Sequence, residues 1–522
     1  MTKAAALVGA ALLALLFAGL GRLPLIDPDE GRYARTAQEM IQRDDLVVPW
    51  LDGQPRLKKP VFFYWCEIAS FRLLGESETA ARLPSAAAAA GTLLWLFSFT
   101  RSRLGESTAL AACTVLATTP LFFGMARTTT TDMTLTFFVF GAAASLYSGI
   151  VEPVRSIRNL IIGGVCLGLG LLTKGPVALL FPGLAIGAAV LARRRAPITV
   201  AGRVTAAAWI MIAVVVPWLA LLFHRMGFEE TLEIWRRETL ERISGGLDHP
   251  ESPVYYLMTS PATFFPWSAF VPFALVSSFR RLRRGDGMLP FLLAWTIGSF
   301  VFFSIGRGKL DSYLLPLTPA VAILLATTLS GELIEPAVLW GGRVMLALGV
   351  ALLIPVKLGH SLHESAGALG ALSLTAAAFG LVIAGLAYAA ALTHARLRVF
   401  VQPALASLTG AALLAAVLFL PAGLAEARST RALVRDAGLA ASDETVFAHR
   451  IHHPSLGFYL RRAATFIPSR NLLLKAVADG KPAAVLVEER RRDVVLPLLT
   501  SGFRVAARSD DRIVLRRTAT KP

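Results

Sequence analysis

Cysteine is scarce in this chain of 522 residues: only Cys66, Cys113 and Cys166 occur. An odd, widely separated set offers neither a disulfide framework nor metal-ligand spacing. All three lie in or beside apolar segments, where they read as small packing residues of the lipid phase. Charged residues are also few, 17% of the total, and acids are the rarer sign, 35 against 52 basic residues. With 55% hydrophobic residues and a mean hydropathy of +0.60, this balance excludes a soluble enzyme and describes a polytopic membrane protein. Other signals are missing too. Lys174-Gly175-Pro176 lacks the glycine-rich lead of a phosphate loop, so there is no nucleotide signature. No compact His/Asp/Glu grouping demands a metal, and no duplicated half marks a transporter.

What the chain has in abundance is apolar runs. About thirteen read as membrane spans, near residues 4 to 23, 83 to 100, 107 to 124, 132 to 150, 159 to 173, 176 to 192, 204 to 223, 258 to 279, 288 to 305, 313 to 329, 344 to 359, 368 to 391 and 400 to 420. The first is Ala/Leu-rich behind Lys3, like a signal peptide. No small-residue cleavage site precedes the polar loop and many spans follow, so it reads as an uncleaved first span. The formal net charge of +17 would suit a nucleic-acid partner, but topology explains it better. Most of the excess falls in short connectors: Arg101 and Arg103, Arg155 and Arg158, Arg193 to Arg195 with Arg203, Arg280 to Arg284, Arg343, and Arg396 with Arg398. If the end bearing Lys3 is cytoplasmic, all of these connectors are cytoplasmic, as the positive-inside bias requires, and no nucleic-acid partner is implied.

An odd span count then puts the segment after Pro421 outside. Its short β-like runs, Thr445 to Ala448, Ala483 to Val487, Phe503 to Ala507 and Arg512 to Leu515, alternate with helical ones and predict a small α/β domain. The expected organisation is a mainly α membrane domain over 1–420 and an extracytoplasmic α/β domain over 421–522. Arg490 to Arg492 reads as a solvated helix face, with anionic lipid contact as the alternative.

Two outer connectors are long, about 24 to 80 and about 224 to 257, and function concentrates in such loops. In the first, Asp27 is placed as an N-cap, Pro28 as the first helical residue and Glu30 as the partner that completes a capping box. That leaves Asp29 without a structural job. Tyr33, Ala37, Met40 and Ile41 follow an amphipathic spacing, which predicts a short helix along the membrane surface. Arg32 and Tyr33 share the face of Asp29. Further on, Arg56-Leu57-Lys58-Lys59-Pro60 leads into Val61-Phe62-Phe63-Tyr64-Trp65, an aromatic belt suited to the headgroup layer. Lys58 reads as a snorkelling side chain. Lys59, directly before the proline that starts the next helix, reads as a fixed ligand.

These residues add up to a resemblance. The order DPDEGRYARTAQEM, RLKKPVFFYW, ETAARLPSA, then TTTTDM at 128 to 133, TKGP at 173 to 176, PW at 217 and 218 and FFSIGRGKLDSYLLPLTPA at 302 to 320 resembles the bacterial aminoarabinose transferases that modify lipid A. These belong to the protein O-mannosyltransferase-like (GT-C) superfamily of membrane glycosyltransferases. The resemblance implies a GT-C fold of about 13 transmembrane helices, with membrane-parallel helices in the first outer loop and a small outer α/β domain. It also implies a bacterial inner-membrane enzyme that moves a sugar, with inversion, from a polyprenyl-phosphate donor to a lipid or envelope-glycan acceptor. The chain departs from the pattern at Lys58, where an acidic or neutral residue is usual, and in GRGKLDSY, so the identity of the sugar does not carry over.

By the same resemblance Asp29 and Asp132 occupy the catalytic acidic positions. Asp29 would serve as general base or acceptor-orienting group; a first-turn aspartate complementing its helix dipole is the plain alternative for Asp132. Arg32, Lys59, Arg242, Lys309 and Tyr313 match donor-phosphate contacts, with Arg236 and Arg237 as competitors of Arg242, and Arg307 as a substitute for Lys309. Glu30, Tyr33, Lys174 and His249 are further site candidates; Tyr255 lines the same connector as His249. No cofactor is indicated for certain, and a divalent cation bridging Asp29, Asp132 and the phosphate stays open. Two other functions compete: a lipid-linked-sugar flippase, and the same transfer onto a protein hydroxyl.

Overall fold

The computed structural model describes residues 2–152, 156–193, 197–243, 251–329, 343, 398–419, 425–426, 428–451, 453–478, 481–499, 502–509 and 511–517. Among the described residues, five helices are long and apolar enough to cross a membrane: Glu78–Leu104, Thr131–Val151, Ile157–Lys174, Ile198–Met226 and Asp311–Leu329. Two helix pairs, Glu106–Ala117 with Pro120–Ala126 and Tyr255–Thr263 with Trp267–Arg283, are bent by 70° and 115° at short breaks. Pro120 sits at the first position of the second helix of its pair, where its fixed φ and missing N–H start a helix but cannot continue one. Shorter apolar helices cover Ala5–Phe17, Val177–Ala192, Leu289–Ile305 and Pro403–Ala415. Each expected span therefore has its helix except those at 344–359 and 368–391, which lie outside the described residues.

The chain falls into two compact units: Met1–Gly19 with Ser85–Arg127 and Thr131–Phe419, and Leu20–Pro84 with Thr128–Thr130 and Leu420–Pro522. In the first, the helices carry one continuous apolar core that includes Leu16, Phe122, Phe140, Tyr147, Phe291 and Trp295. The aromatic rings meet edge-on or tilted, with Tyr147 4.7 Å and Trp295 5.5 Å from Phe291, as ring quadrupoles favour. Arg127 donates to the carbonyls of Leu15, Leu16 and Ala18, supplying the unpaired C-terminal end of the first helix with a cation. Arg103, expected as a plain cytoplasmic charge, lies 4.1 Å over Phe99 and pairs with Glu152 at 2.6 Å. The Pro197–Met226 helix exposes Ile198 and Trp209, which suits a helix whose solvent is lipid.

In the second unit, the hairpin β1 (Trp50–Leu51) and β2 (Gln54–Pro55) separates the helices Asp29–Gln42 and Phe62–Leu74. Its C-terminal part is a five-stranded sheet of β3 (Thr445–His449), β4 (Thr465–Ile467), β5 (Ala483–Glu488), β6 (Phe503–Ser509) and β7 (Arg512–Arg517), in the order β4-β3-β5-β7-β6. β3 pairs parallel to β4 and β5; β7 runs antiparallel to β5 and β6. Alternation sends Val446, Ala448, Leu486 and Val514 to one apolar cluster and Phe447, Val485, Ile513 and Leu515 to another, so both faces are covered. The four expected strands form. β4 is additional: three residues with two of them exposed leave too little alternation to read. Arg490 and Arg491 pair with Glu488 at 2.7 and 2.9 Å, in a solvated turn.

The Asp29–Gln42 helix forms where the amphipathic spacing places it. Of residues 30 to 40 only Arg32 escapes full burial, because the helix packs against both Phe62–Leu74 and Pro454–Leu460. The aromatic run is split: Phe63 and Tyr64 are buried, and Trp65 donates to the carbonyl of Leu46 at 2.8 Å.

Candidate active site

Polar groups of the loop at 24 to 80 divide into those consumed by the fold and those left open. The capping box does not form as read. The helix starts at Asp29, and no side chain caps it. The N–H groups of Glu30 and Arg32 already find the carbonyls of Ile26 and Pro28 at 3.1 and 3.2 Å, so Asp27 is not needed there. Its buried carboxylate instead accepts the backbone N–H of Ser455 at 2.8 Å and the Ser455 hydroxyl, and lies 3.3 Å from His453 Nδ1.

Glu30 does reach back, to the N–H of Ile26 at 3.0 Å, but its main partner is Arg82. Arg82 Nε and Nη2 donate to its two oxygens at 2.8 and 2.7 Å, and the N–H of Thr129 donates at 3.0 Å. Arg82 also donates to the carbonyls of Leu20, Leu23 and Pro24, each at 2.7 Å. Glu30 is thus a buried brace with its acceptor capacity in use.

Asp29 differs sharply from its neighbours. Its side chain is 61% exposed and, among the described residues, meets only Arg32 Nη1, at 3.4 Å, an exposed pair worth about 0–1 kcal/mol. Tyr33 is packed 5.5 Å from Phe63 and 5.9 Å from Tyr64, with the Arg56 guanidinium 5.9 Å from its ring. Lys59 is half-buried and Lys58 exposed.

In the other unit, Asp132 lies in the first turn of the Thr131–Leu146 helix, and Lys174 in the last turn of Ser156–Lys174. Their helices pack together and bring these ends side by side, so Lys174 Nζ is 2.5 Å from Asp132 Oδ1. Each charge also complements its own helix dipole. The same ammonium is 5.0 Å from the Tyr313 ring centroid, and Tyr313 rests on Phe303. Lys309 is buried and donates to the carbonyls of Glu251 (3.0 Å) and Gly306, leaving one of its three N–H groups for a ligand. Arg307 is exposed. Arg242 belongs to the Phe228–Ile243 helix with exposed Arg236. The side chains of Arg237 and Arg242 lie outside the described residues, as does His249. Tyr255 is half-buried at the start of Tyr255–Thr263.

The structure thus brings together Asp29 with Arg32, and Asp132 with Lys174 and Tyr313. Among the described residues no group of three or more His, Cys, Asp or Glu could hold a metal ion. Three contributors escaped the sequence reading. Arg82 could have been found as an ionisable residue at the head of an apolar span, which needs a partner. Ser455 carries no such signal. Glu67 is fully buried with neither carboxylate oxygen hydrogen-bonded, and burial first, then Glu30, pushes its pKa well above the usual carboxylate range.

Residues 58–220 match the family model for dolichyl-phosphate-mannose-protein mannosyltransferase. The undecaprenyl phosphate-alpha-4-amino-4-deoxy-L-arabinose arabinosyl transferase of Yersinia pestis (strain Pestoides F) is 30% identical over 384 residues, 69% of this chain and 67% of that protein. The enzyme of the same name from Serratia proteamaculans (strain 568) is 30% identical over 328 residues, 61% of this chain and 58% of that protein. The crystal structure of ArnT from Cupriavidus metallidurans bound to undecaprenyl phosphate shares the fold, with a TM-score of 0.81 at 23% identity, over 99% of this chain and 98% of that one. The expected GT-C membrane fold is borne out, and this multi-pass membrane protein belongs to the family of undecaprenyl-phosphate aminoarabinose transferases, polyprenyl-phosphate-sugar-dependent glycosyltransferases.

Proposed function

We propose that this chain transfers a sugar from a polyprenyl-phosphate carrier to a lipid acceptor of the lipid A kind, at the outer face of the bacterial inner membrane. The bond from the anomeric carbon to the carrier phosphate breaks, its electron pair leaving on phosphate oxygen, while an acceptor oxygen bonds to the opposite face with inversion. Lys59, Arg242, Lys309 and Tyr313 match the family positions that contact the departing phosphate, and Arg32, beside Asp29, matches a further cation for that charge. Preorganised donors of this kind contribute roughly 2.7–4 kcal/mol each in the transition state. Asp132, paired with Lys174, keeps that ammonium oriented. A hydroxyl acceptor gives its proton to Asp29; a phosphate acceptor needs no base, and Asp29 then orients it. The membrane domain spans 1–420 with a cytoplasmic N-terminus, and 421–522 is periplasmic.

The observation that carries this reading is the exposure of Asp29 beside acids that the fold engages. Asp27, Glu30 and Glu39 are held by Ser455, Arg82 and Arg43, while Asp29 keeps a single long ion pair. Asp29→Asn should lower turnover about 100-fold or more while the protein folds and inserts normally. Undiminished transfer by purified Asp29→Asn would remove this residue from the chemistry. The family model matched at 58–220 favours a second reading, a protein hydroxyl as acceptor. Mass spectrometry of envelope lipids and proteins from a deletion strain separates the two: loss of a sugar from lipid A supports the first, loss from protein the second.

A further inference from the structure

The Asp29–Gln42 helix is seated along one face by the C-terminal α/β segment. Asp27 is tied at both levels: its N–H donates to the carbonyl of Arg428 at 2.9 Å, and both carboxylate oxygens are taken by Ser455. Ser455 is itself pinned, since its Oγ accepts the N–H of Thr430 at 3.2 Å and lies 2.8 Å from the Thr430 hydroxyl. One turn on, a Cβ at Gly31 would stand 2.4 Å from Ser455 N, so only glycine allows this approach. Arg35 lies against Gly457, where a Cβ would be 2.9 Å from its Nε. Gln38 and Gln42 donate to the carbonyls of Phe458 and Arg461 at 3.2 and 2.9 Å.

Positions 31, 35, 38 and 42 step by four, three and four residues and so form one helix face. Asp29 is two residues from Gly31, on the far side of the helix at roughly 100° per residue. The seating face thus leaves Asp29 exposed while fixing where its helix begins. We propose that Ser455, through Asp27, is a positioning residue for sugar transfer: it sets the place of the Asp29 carboxylate without touching any reacting atom. This rests on the reading of Asp29 as the group that meets the acceptor.

Misplacing a reacting group by about 1 Å can cost on the order of 100-fold. Ser455→Ala in the full-length protein, assayed with polyprenyl-phosphate sugar and lipid A in detergent, should therefore lose about 10- to 100-fold in kcat per folded molecule. The donor KM should stay within about threefold, because Arg32 shares the displaced helix with Asp29 while Lys59, Arg242, Lys309 and Tyr313 lie outside it. Asp27→Asn is the second variant. Its amide keeps an oxygen for the Ser455 N–H and can donate to Ser455 Oγ, so it should lose several-fold less kcat than Ser455→Ala or Asp27→Ala. Unchanged kcat in Ser455→Ala, or losses that follow folded protein rather than turnover in all three variants, would overturn the proposal. Asp29→Asn measured alongside keeps the two ideas apart: full activity there removes the reading of Asp29, whereas an inactive Asp29→Asn with a fully active Ser455→Ala removes only the positioning role.

Discussion

Glu30 and Asp29 are adjacent acids for which the structure demands opposite behaviour, and Glu30→Gln tests this most directly. Each Glu30 oxygen accepts one arginine donor and one backbone donor: Oε1 from Arg82 Nε and Thr129 N, Oε2 from Arg82 Nη2 and Ile26 N. Whichever way a glutamine amide is turned, its NH2 faces two donors. Arg82 loses its only carboxylate among the described residues and keeps three carbonyls. Removing one partner of a buried pair costs roughly 3–5 kcal/mol, a large part of the roughly 5–15 kcal/mol that holds a domain. The assay is heating of purified protein in detergent, followed by size-exclusion of the fraction that stays folded. Glu30→Gln should lose folded protein at a distinctly lower temperature, while turnover per surviving molecule stays within about threefold of wild type. Arg82→Met should be at least as damaging, because it also strands the carbonyls of Leu20, Leu23 and Pro24, at about 1–3 kcal/mol each. In Glu30→Leu/Arg82→Met the losses should be less than additive, as expected for groups in direct contact. Wild-type thermal behaviour in Glu30→Gln, or normal stability with turnover lost, would refute the assignment of Glu30 as a brace.

Three further outcomes follow from other sites. Glu67 has a folded pKa raised above its ordinary value of 4.5, mainly by burial. The folded state therefore holds the proton more tightly, and stability is full below about pH 4.5 and falls as pH rises towards the folded pKa. Glu67→Gln should melt higher than wild type at pH 8, with the gap closing near pH 4; a gap independent of pH would contradict this. Gly31→Ala should be destabilised by about 1–3 kcal/mol through overpacking against Ser455, read as a lower melting temperature. Lys174→Ala leaves Asp132 without its 2.5 Å partner and should cut kcat about 100-fold or more at near-normal expression; wild-type kinetics would show that the pair is only structural.

Much of the architecture could be read from one dimension. Apolar runs longer than the bilayer is thick must become helices, since lipid offers backbone groups no other partner, and each described span has its helix. The short apolar runs at 445 to 448 and 483 to 487 announced a sheet, because strands buried on both faces read as continuous apolar stretches. Reading the site was harder. Asp132 and Lys174 are 42 residues apart, and their 2.5 Å contact depends on two helices packing side by side. Asp27 looked like an ordinary N-cap, because nothing local reveals hydrogen-bond donors more than 400 residues away. Its partner Ser455 is a plain serine in a short helix.

The sequence by itself determined the membrane-spanning architecture, the C-terminal α/β segment and which residue types could carry charge chemistry, since these follow from local apolar length, the succession of short runs and motif order. Only the tertiary structure decided how the acids are used: Glu30 and Asp27 as braces, Glu67 as a buried unpartnered acid, Asp29 as the exposed one. The reason is physical. Whether a carboxylate is ionised, neutralised or open to a substrate depends on the donors and the dielectric around it, and those come from remote segments that meet only on folding.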